Sequence, residues 1–198
     1  MPNIKISELT PGTILGPELL EASQLSGGSY TSIRTSVEAA VYGASRYGSF
    51  FDTTDQTGST VAATAVKFGT NDISTEGVTV VTNGSALTRI TYAEAGVYAL
   101  APNLQFRNTD TNDHDATIWL RLNGTNIANS ATIITVPKAA DGGAAFFQIV
   151  LYVTVTAGQY VEVMWLPENA AVTIDAAVAG AIAPAIPSAI VVTQRIGL

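Results

Sequence analysis

The one histidine, His114, stands in Asn108-Thr109-Asp110-Thr111-Asn112-Asp113-His114-Asp115, a run of hard oxygen donors of the type that ligates calcium. The run has neither the glycine nor the bidentate glutamate that an EF-hand loop places at fixed offsets. Asp and Asn side chains also bond their own backbone in tight turns, so a solvated turn between strands is the expectation. A catalytic His114 would need a serine on a strand-to-helix elbow, and no serine has that context. Carboxylate pairs held about 5–10 Å apart would suit glycoside hydrolysis, and Asp52/Asp55 and Glu162/Glu168 are the nearest candidates along the chain. Glu162 lies on the polar side of an alternating run, which predicts a solvated or interface carboxylate rather than a catalyst. Gly27-Gly28 and Gly142-Gly143 are isolated doublets, without a phosphate-loop or dinucleotide fingerprint. Asn83-Gly84-Ser85 and Asn123-Gly124-Thr125 match the glycosylation pattern. Met1-Pro2-Asn3-Ile4-Lys5 lacks the apolar stretch of a secretory signal, so both are read as turns. Tyr98, Phe106, Trp119, Phe146, Phe147, Tyr152, Tyr160 and Trp165 could stack on sugars, but large aromatics more often fill cores or subunit interfaces. No catalytic, cofactor or metal set emerges, and the chain reads as a non-enzyme.

Composition sets the frame for these residues. The 198 residues carry 9 Lys+Arg against 16 Asp+Glu, a formal charge of −7, and only 13% are charged. The basic residues are scattered singly, so no stripe exists to neutralise a phosphate backbone, and nucleic-acid binding is not expected. The absence of cysteine removes disulfide frameworks, thiolate zinc sites and cysteine nucleophiles together. The apolar segments 144–166 and 170–193 are broken by Gln148, Gly158, Glu162, Asp175, Pro184 and Pro187, so neither reads as a membrane span. With 25 Thr, 18 Val and 16 Ile, the composition favours strands, where branched side chains fit the pleat. So few charges leave much of the surface to small polar residues or to partner subunits.

Two textures divide the chain. In residues 1–45, Pro11-Gly12, Gly16-Pro17 and Gly27-Gly28 leave apolar stretches too short for a core. Pro17-Glu18-Leu19-Leu20-Glu21 predicts the start of a short helix, because proline fits a first helical turn. A second is predicted at 36–42, from the capping-box spacing of Thr35 and Glu38 and the stop at Gly43. This stretch reads as an extended, short-helical arm that gains order against something else.

From Arg46 onward, strands alternate with turns. Ile118, Leu120 and Leu122 share one face, opposite Thr117, Trp119 and Arg121. That strand ends at Asn123-Gly124, a hairpin signal repeated at Asn83-Gly84. Phe147, Ile149, Leu151, Val153 and Val155 form a wholly apolar face. Opposite them, Phe146, Gln148, Val150, Tyr152 and Thr154 form a mixed face suited to solvent or to a neighbouring subunit. Val161, Val163 and Trp165 point one way, and Ile190, Val192 and Ile196 share a side of the last strand, its approach held extended by Pro184 and Pro187. Nine or ten strands and no helix are expected in 46–198, as an antiparallel sandwich or barrel.

Ala95-Gly96-Val97-Tyr98, Ile118-Trp119-Leu120-Arg121-Leu122-Asn123-Gly124-Thr125 and Ala128-Asn129-Ser130 resemble the C1q/TNF-like jelly rolls of tailed-phage virion proteins. So do Gly158-Gln159-Tyr160-Val161-Glu162-Val163-Met164-Trp165 and the closing stretch from Pro184 to Gln194, an ending familiar among phages of cyanobacteria. The resemblance covers roughly 77–198. Ile6-Ser7-Glu8-Leu9-Thr10, Gly16-Pro17-Glu18-Leu19-Leu20 and Ser29-Tyr30-Thr31-Ser32 are similar to N-terminal adapter segments of phage fibres. The resemblance implies a homotrimeric jelly roll displayed on a virion, with no catalytic residues to carry over. The expected function is a capsid decoration protein (cement or head fibre), assembled in the host cytoplasm and gripping the major capsid protein or another virion protein through residues 1–45. The alternative is a tail-fibre or receptor-binding module that uses loops such as 108–115 to hold host glycans.

Overall fold

The structure, a computed structural model, describes residues 19–26, 29–36, 45–73 and 75–197. Its contacts cluster into two units, Met1–Ser45 and Arg46–Leu198. In the first unit β1 (Leu19–Ser26) and β2 (Ser29–Ser36) pair antiparallel, with Leu19 opposite Ser36 and Ser26 opposite Ser29. This corrects the helix expected from Pro17: Leu19, Leu20 and Glu21 are strand, and residues 17–18 lie outside the described residues. A five-residue helix has little to stabilise its costly nucleus, whereas eight cross-strand pairs satisfy the backbone along both segments. Thr35 and Ser36 are likewise inside β2, and residues 37–42 of the second expected helix lie outside the described residues.

The second unit opens with β3 (Tyr47–Asp52) and three two-residue strands, β4 (Gln56–Thr57), β5 (Thr64–Ala65) and β6 (Thr70–Asn71). A hairpin follows, β7 (Val78–Asn83) and β8 (Ala86–Tyr92), and then the thirteen-residue β9 (Gly96–Asn108). Next come β10 (His114–Leu122), β11 (Thr125–Asn126) and β12 (Thr132–Val136). The chain ends through β13 (Ala144–Gln148), β14 (Leu151–Val155), β15 (Tyr160–Pro167), β16 (Val172–Ile174) and β17 (Ala189–Gly197). These exceed the nine or ten expected because two-residue pairings have no periodicity to read. The one helical piece described in this unit is a 3₁₀ turn at Ala139–Asp141.

Among the described residues of this unit every strand pair is antiparallel, in two sheets. One sheet runs β6-β3-β17-β9 and continues on the far side of β9 into β13 and β14. The other runs β7-β8-β15-β10-β12. The chain passes back and forth between the sheets, from β3 to the β7-β8 hairpin, back to β9, over to β10 and β12, back to β13 and β14, over to β15 and back to β16 and β17, so that β3 lies against the last strand, β17. That order is an antiparallel jelly roll, as expected.

Two predicted turns carry their reason in the backbone. Asn123 and Gly124 both take positive φ, 45° and 82°, as a two-residue hairpin between β10 and β11 requires. Gly84, at φ 65°, turns β7 into β8.

The core lies between the sheets. β15 contributes Val161, Val163 and Trp165, β10 contributes Ile118 and Leu120, and β9 answers with Tyr98, Leu100, Leu104 and Phe106, all buried. Each such side chain removed from water is worth about 1.5–3 kcal/mol. Two aromatic pairs cross the gap: Tyr92 and Tyr98 with centroids 4.3 Å apart, and Phe106 edge-on to Trp165 at 5.8 Å. The Tyr92 hydroxyl also shares a 3.3 Å hydrogen bond with Thr193 Oγ1, and burial pushes its pKa well up.

Charge ties one end of the unit together. Arg195 donates through Nη1 to Glu94 Oε2 at 2.8 Å, Arg46 bonds the other Glu94 oxygen, and Arg46 stands 3.9 Å from Glu76. The hydrogen bond from Arg46 chiefly holds the Glu94 carboxyl below the usual carboxylate range, with partial desolvation opposing and Arg195 assisting. A carboxyl whose folded pKa is depressed stabilises the fold above its unfolded value of about 4.3, and that contribution disappears as pH falls through the folded value. Glu94→Gln is therefore expected to lower the melting temperature at neutral pH and to shrink the loss of stability on acidification below about pH 4. Thermal melts across pH check this; an unchanged acid slope would assign the acid sensitivity to other carboxylates.

Candidate interaction face

The loop singled out at 108–115 is a built turn. Asn108 is fully buried, and its amide donates to Asn112 O at 2.8 Å and Val136 O at 3.2 Å while its Oδ1 accepts from the Asp110 N–H at 2.8 Å. Gly143, at φ 59°, packs on the same residue; a Cβ there would come within 2.4 Å of Asn108 O. The carboxylates of the loop are engaged locally. Asp113 accepts from the Lys138 N–H at 2.8 Å, Asp115 from the Thr135 hydroxyl at 2.7 Å, and Asp110 lies 2.7 Å from His114 Nε2. That contact with His114, with the Thr111 N–H next in importance, holds the Asp110 carboxyl below its usual range. Among the described residues no group of three or more acidic or histidine side chains is gathered around a metal-sized site.

The other candidate carboxylates also have structural partners. Asp52 Oδ1 accepts from the Thr54 N–H at 2.8 Å and Asp55 Oδ1 from the Ala176 N–H at 2.8 Å. Glu168 accepts from the Asp115 N–H at 2.9 Å. Glu162 departs from its expected solvation: it is 2% exposed, accepting from Thr88 Oγ1 at 3.0 Å and Asn83 Nδ2 at 3.1 Å, with Arg89 Nε 3.9 Å away. Its position alternates outward from β15 as expected, but β8 diverges there and β5 takes its place beside β15, and the junction covers the side chain. Arg89 in turn lies over the Tyr160 ring, 4.4 Å from its centroid.

The eight aromatics divide. Tyr98, Phe106, Phe147 and Trp165 are core. Trp119 and Tyr160 are half-buried on the outer side of the second sheet, where the Trp119 indole donates to Asn126 Oδ1 at 2.9 Å. Phe146 and Tyr152 stand 53% and 68% exposed on the outer side of the first sheet.

That outer side is the feature the fold leaves open. Register places Phe51, Ile190, Asn103 and Gln148 in one row across β3, β17, β9 and β13. A second row is Tyr47, Gln194, Ala99 and Tyr152, and a third holds Ser49, Val192 and Ala101. Phe146 stands opposite Gln105, and Val97 opposite Thr154. Among these outward positions of β3, β17, β9, β13 and β14, Arg107 is the one charged residue, at the end of β9; Asp72 sits at the edge, accepting from Ser49 Oγ at 2.9 Å. Small side chains (Val97, Ala99, Ala101) occupy the middle, and Phe146 and Tyr152 rise along one flank.

The mixed face anticipated for 146–155 is thus the flank of a larger surface, and a break at residues 149–150 splits its strand into β13 and β14. The last strand shares it: Ile190 and Val192 face outward while Ala189, Val191 and Thr193 are buried. Sequence reading missed the β9 contribution. Its signal was a strand with apolar residues in both phases, the pattern of a strand covered on both sides.

No protein-family model and no curated protein sequence matches the chain. Among solved structures it is similar to the crystal structure of murine APRIL at pH 8.5, at 9% identity and a TM-score of 0.47, over 77% of this chain and 99% of that one.

Asn108→Asp keeps the shape of the loop anchor but turns its donor into an acceptor facing two carbonyls. The expected cost is about 3 kcal/mol, on the order of a 10 °C fall in melting temperature by calorimetry. A loss under about 1 kcal/mol would show that the loop does not depend on this amide.

Proposed function

We propose that the chain is a non-enzymatic, self-assembling display protein. In this reading it forms a homotrimer that covers the outer side of the β3-β17-β9-β13/β14 sheet. It serves as a capsid decoration protein of a tailed-phage particle, held there through residues 1–45. The observation that carries the self-association is the nearly uncharged outer face of that sheet, on which Phe146, Tyr152 and Val192 are 53%, 68% and 45% exposed. Exposed aromatic and aliphatic side chains among neutral amides, with charge nearly absent, match the composition of subunit contacts. An exposed apolar sheet also invites uncontrolled pairing, which closed symmetry prevents. Three-fold symmetry, the virion location and the anchoring role follow from the resemblance of 77–198 to C1q/TNF-like virion jelly rolls and of the N-terminal stretch to fibre adapters. The local engagement of the candidate carboxylates supports a structural rather than a catalytic role.

Sedimentation equilibrium on the full chain is expected to give a trimer at micromolar concentration. Val192→Asp, at a position 45% exposed in the single subunit, is expected to give folded monomers with unchanged far-UV dichroism. A wild-type monomer would overturn the reading. Removing residues 1–45 should leave a trimer that no longer co-sediments with capsids, and normal capsid binding by that truncation would refute the anchor. Copies per particle test the location: hundreds agree with shell decoration, and a dozen or so would move the trimer to a tail fibre that binds host glycans.

A further inference from the structure

Between β16 and β17 the chain leaves the sandwich as a finger with a built base. The Asp175 N–H donates to Gln105 O at 2.8 Å and the Gln105 N–H donates to Ser188 O at 2.9 Å, so one residue of β9 holds both legs. The Ala176 N–H is held by Asp55 Oδ1 at 2.8 Å. Ala177 and Ile186 then bridge the legs through hydrogen bonds of 2.9 and 2.8 Å, and the Gly180 N–H reaches Ala183 O at 3.0 Å near the tip. The chain bends at residues 181–183, and the 184–187 approach to β17, expected to be extended, forms the returning leg with Ile186 in the bridge. Residues 176–187 contain only Ala, Val, Ile, Gly and Pro. Beyond the bridge the side chains stand open: Val178 is 92% exposed and Ile182 101%. Beside the base, on the outer side of the first sheet, opens a cleft of about 270 Å³ walled by Phe51, Ile190, Pro187 and Ala185, with Asp72 on its lining.

We propose that the finger is the grip between copies of this chain: Val178 and Ile182 of one copy seat in the cleft of Phe51, Ile190 and Pro187 of the next. This rests on the self-association reading above and names its contact. Two bare aliphatic side chains on a hydrogen-bonded mount are costly to leave in water and gain when covered. The knob and a matching apolar hollow occur in one sequence, so a second copy is the partner certain to carry both. Knob into hollow is a head-to-tail contact, and such contacts close into a ring when the rotation fits. The hollow shares Phe51 and Ile190 with the uncharged sheet face, so the contact extends that face rather than competing with it. Acids surround the finger, with Asp55 and Asp175 at its base and Asp72 in the cleft, and the chain carries −7 overall. That charge opposes docking on an anionic lipid surface.

The chain lacks cysteine, so cross-links can be placed without background. Full-length Ile182→Cys and Ile190→Cys proteins, mixed after reversible dissociation and mildly oxidised, are expected to give a covalent dimer at least about tenfold more abundant than either variant alone. Ile182→Asp, at a fully exposed position, is expected to keep the fold and raise the dissociation constant of the oligomer by about tenfold or more. If Val192→Asp disperses the oligomer while Ile182→Asp leaves it as tight and no 182–190 dimer forms, the finger contact is wrong and the sheet-face reading stands. If Ile182→Asp disperses it and Val192→Asp does not, the finger contact stands and the sheet face is not the interface. A wild-type monomer overturns both. Flotation with phosphatidylcholine–phosphatidylserine vesicles that Ile182→Asp abolishes, with oligomerisation unaffected, would overturn the finger contact in favour of a lipid surface.

Discussion

Hydrogen bonding along β9 organises the second unit. Over thirteen residues this strand pairs with β17 and β16 along one edge and with β13 and β14 along the other, so most of the first sheet takes its register from it. Its inward side chains Tyr98, Leu100, Leu104 and Phe106 are all buried, and a slip of one residue would exchange them for Val97, Ala99, Asn103 and Gln105. The aromatic pairs Tyr92–Tyr98 and Phe106–Trp165 lock that register to the opposite sheet. The same pleat determines what is left outside. When one phase of β9 enters the core, the other phase, with small Val97, Ala99 and Ala101 followed by Asn103, Gln105 and Arg107, becomes the middle of an outer face.

That coupling links the core to the make-up of the outer surface. The inner face is complete within a single chain, while the outer face has apolar side chains and few means to hydrate them. The contrast with the second sheet is instructive. Its outer side carries Arg89 over Tyr160 and 3.9 Å from Glu162, Glu162 held by Thr88 and Asn83, and Trp119 bonded to Asn126. The outer side of the first sheet has amides and small side chains in place of such charged pairs.

The turns show where local chemistry is decisive. Asn123-Gly124 adopts the positive φ values that two-residue hairpins need, and the Asn108 side chain ties the acidic loop together. Asn108, Asp110 and Asp113 accept from backbone N–H groups that would otherwise lack partners at the end of a sheet. Elsewhere in the second unit Glu94 joins the Arg46 and Arg195 side chains instead.

Period-two patterning was legible without a structure. The faces of β10, β15 and β13/β14, the hairpins at 83–84 and 123–124, and the all-antiparallel class follow from side-chain alternation and from the φ preferences of Asn and Gly, which are local properties. The sequence also exposed the charge deficit, though not where it falls. Tertiary structure alone decided that Glu162 is buried, because its burial depends on β5 replacing β8 beside β15. It alone made strands of Leu19–Ser26 and Ser29–Ser36, because cross-strand pairing outweighs the local helix signal at Pro17. Only the closed sandwich brings Gln105 to both legs of the 176–187 finger, since hydrogen bonds between residues some 70 to 80 positions apart leave no periodic mark in the chain.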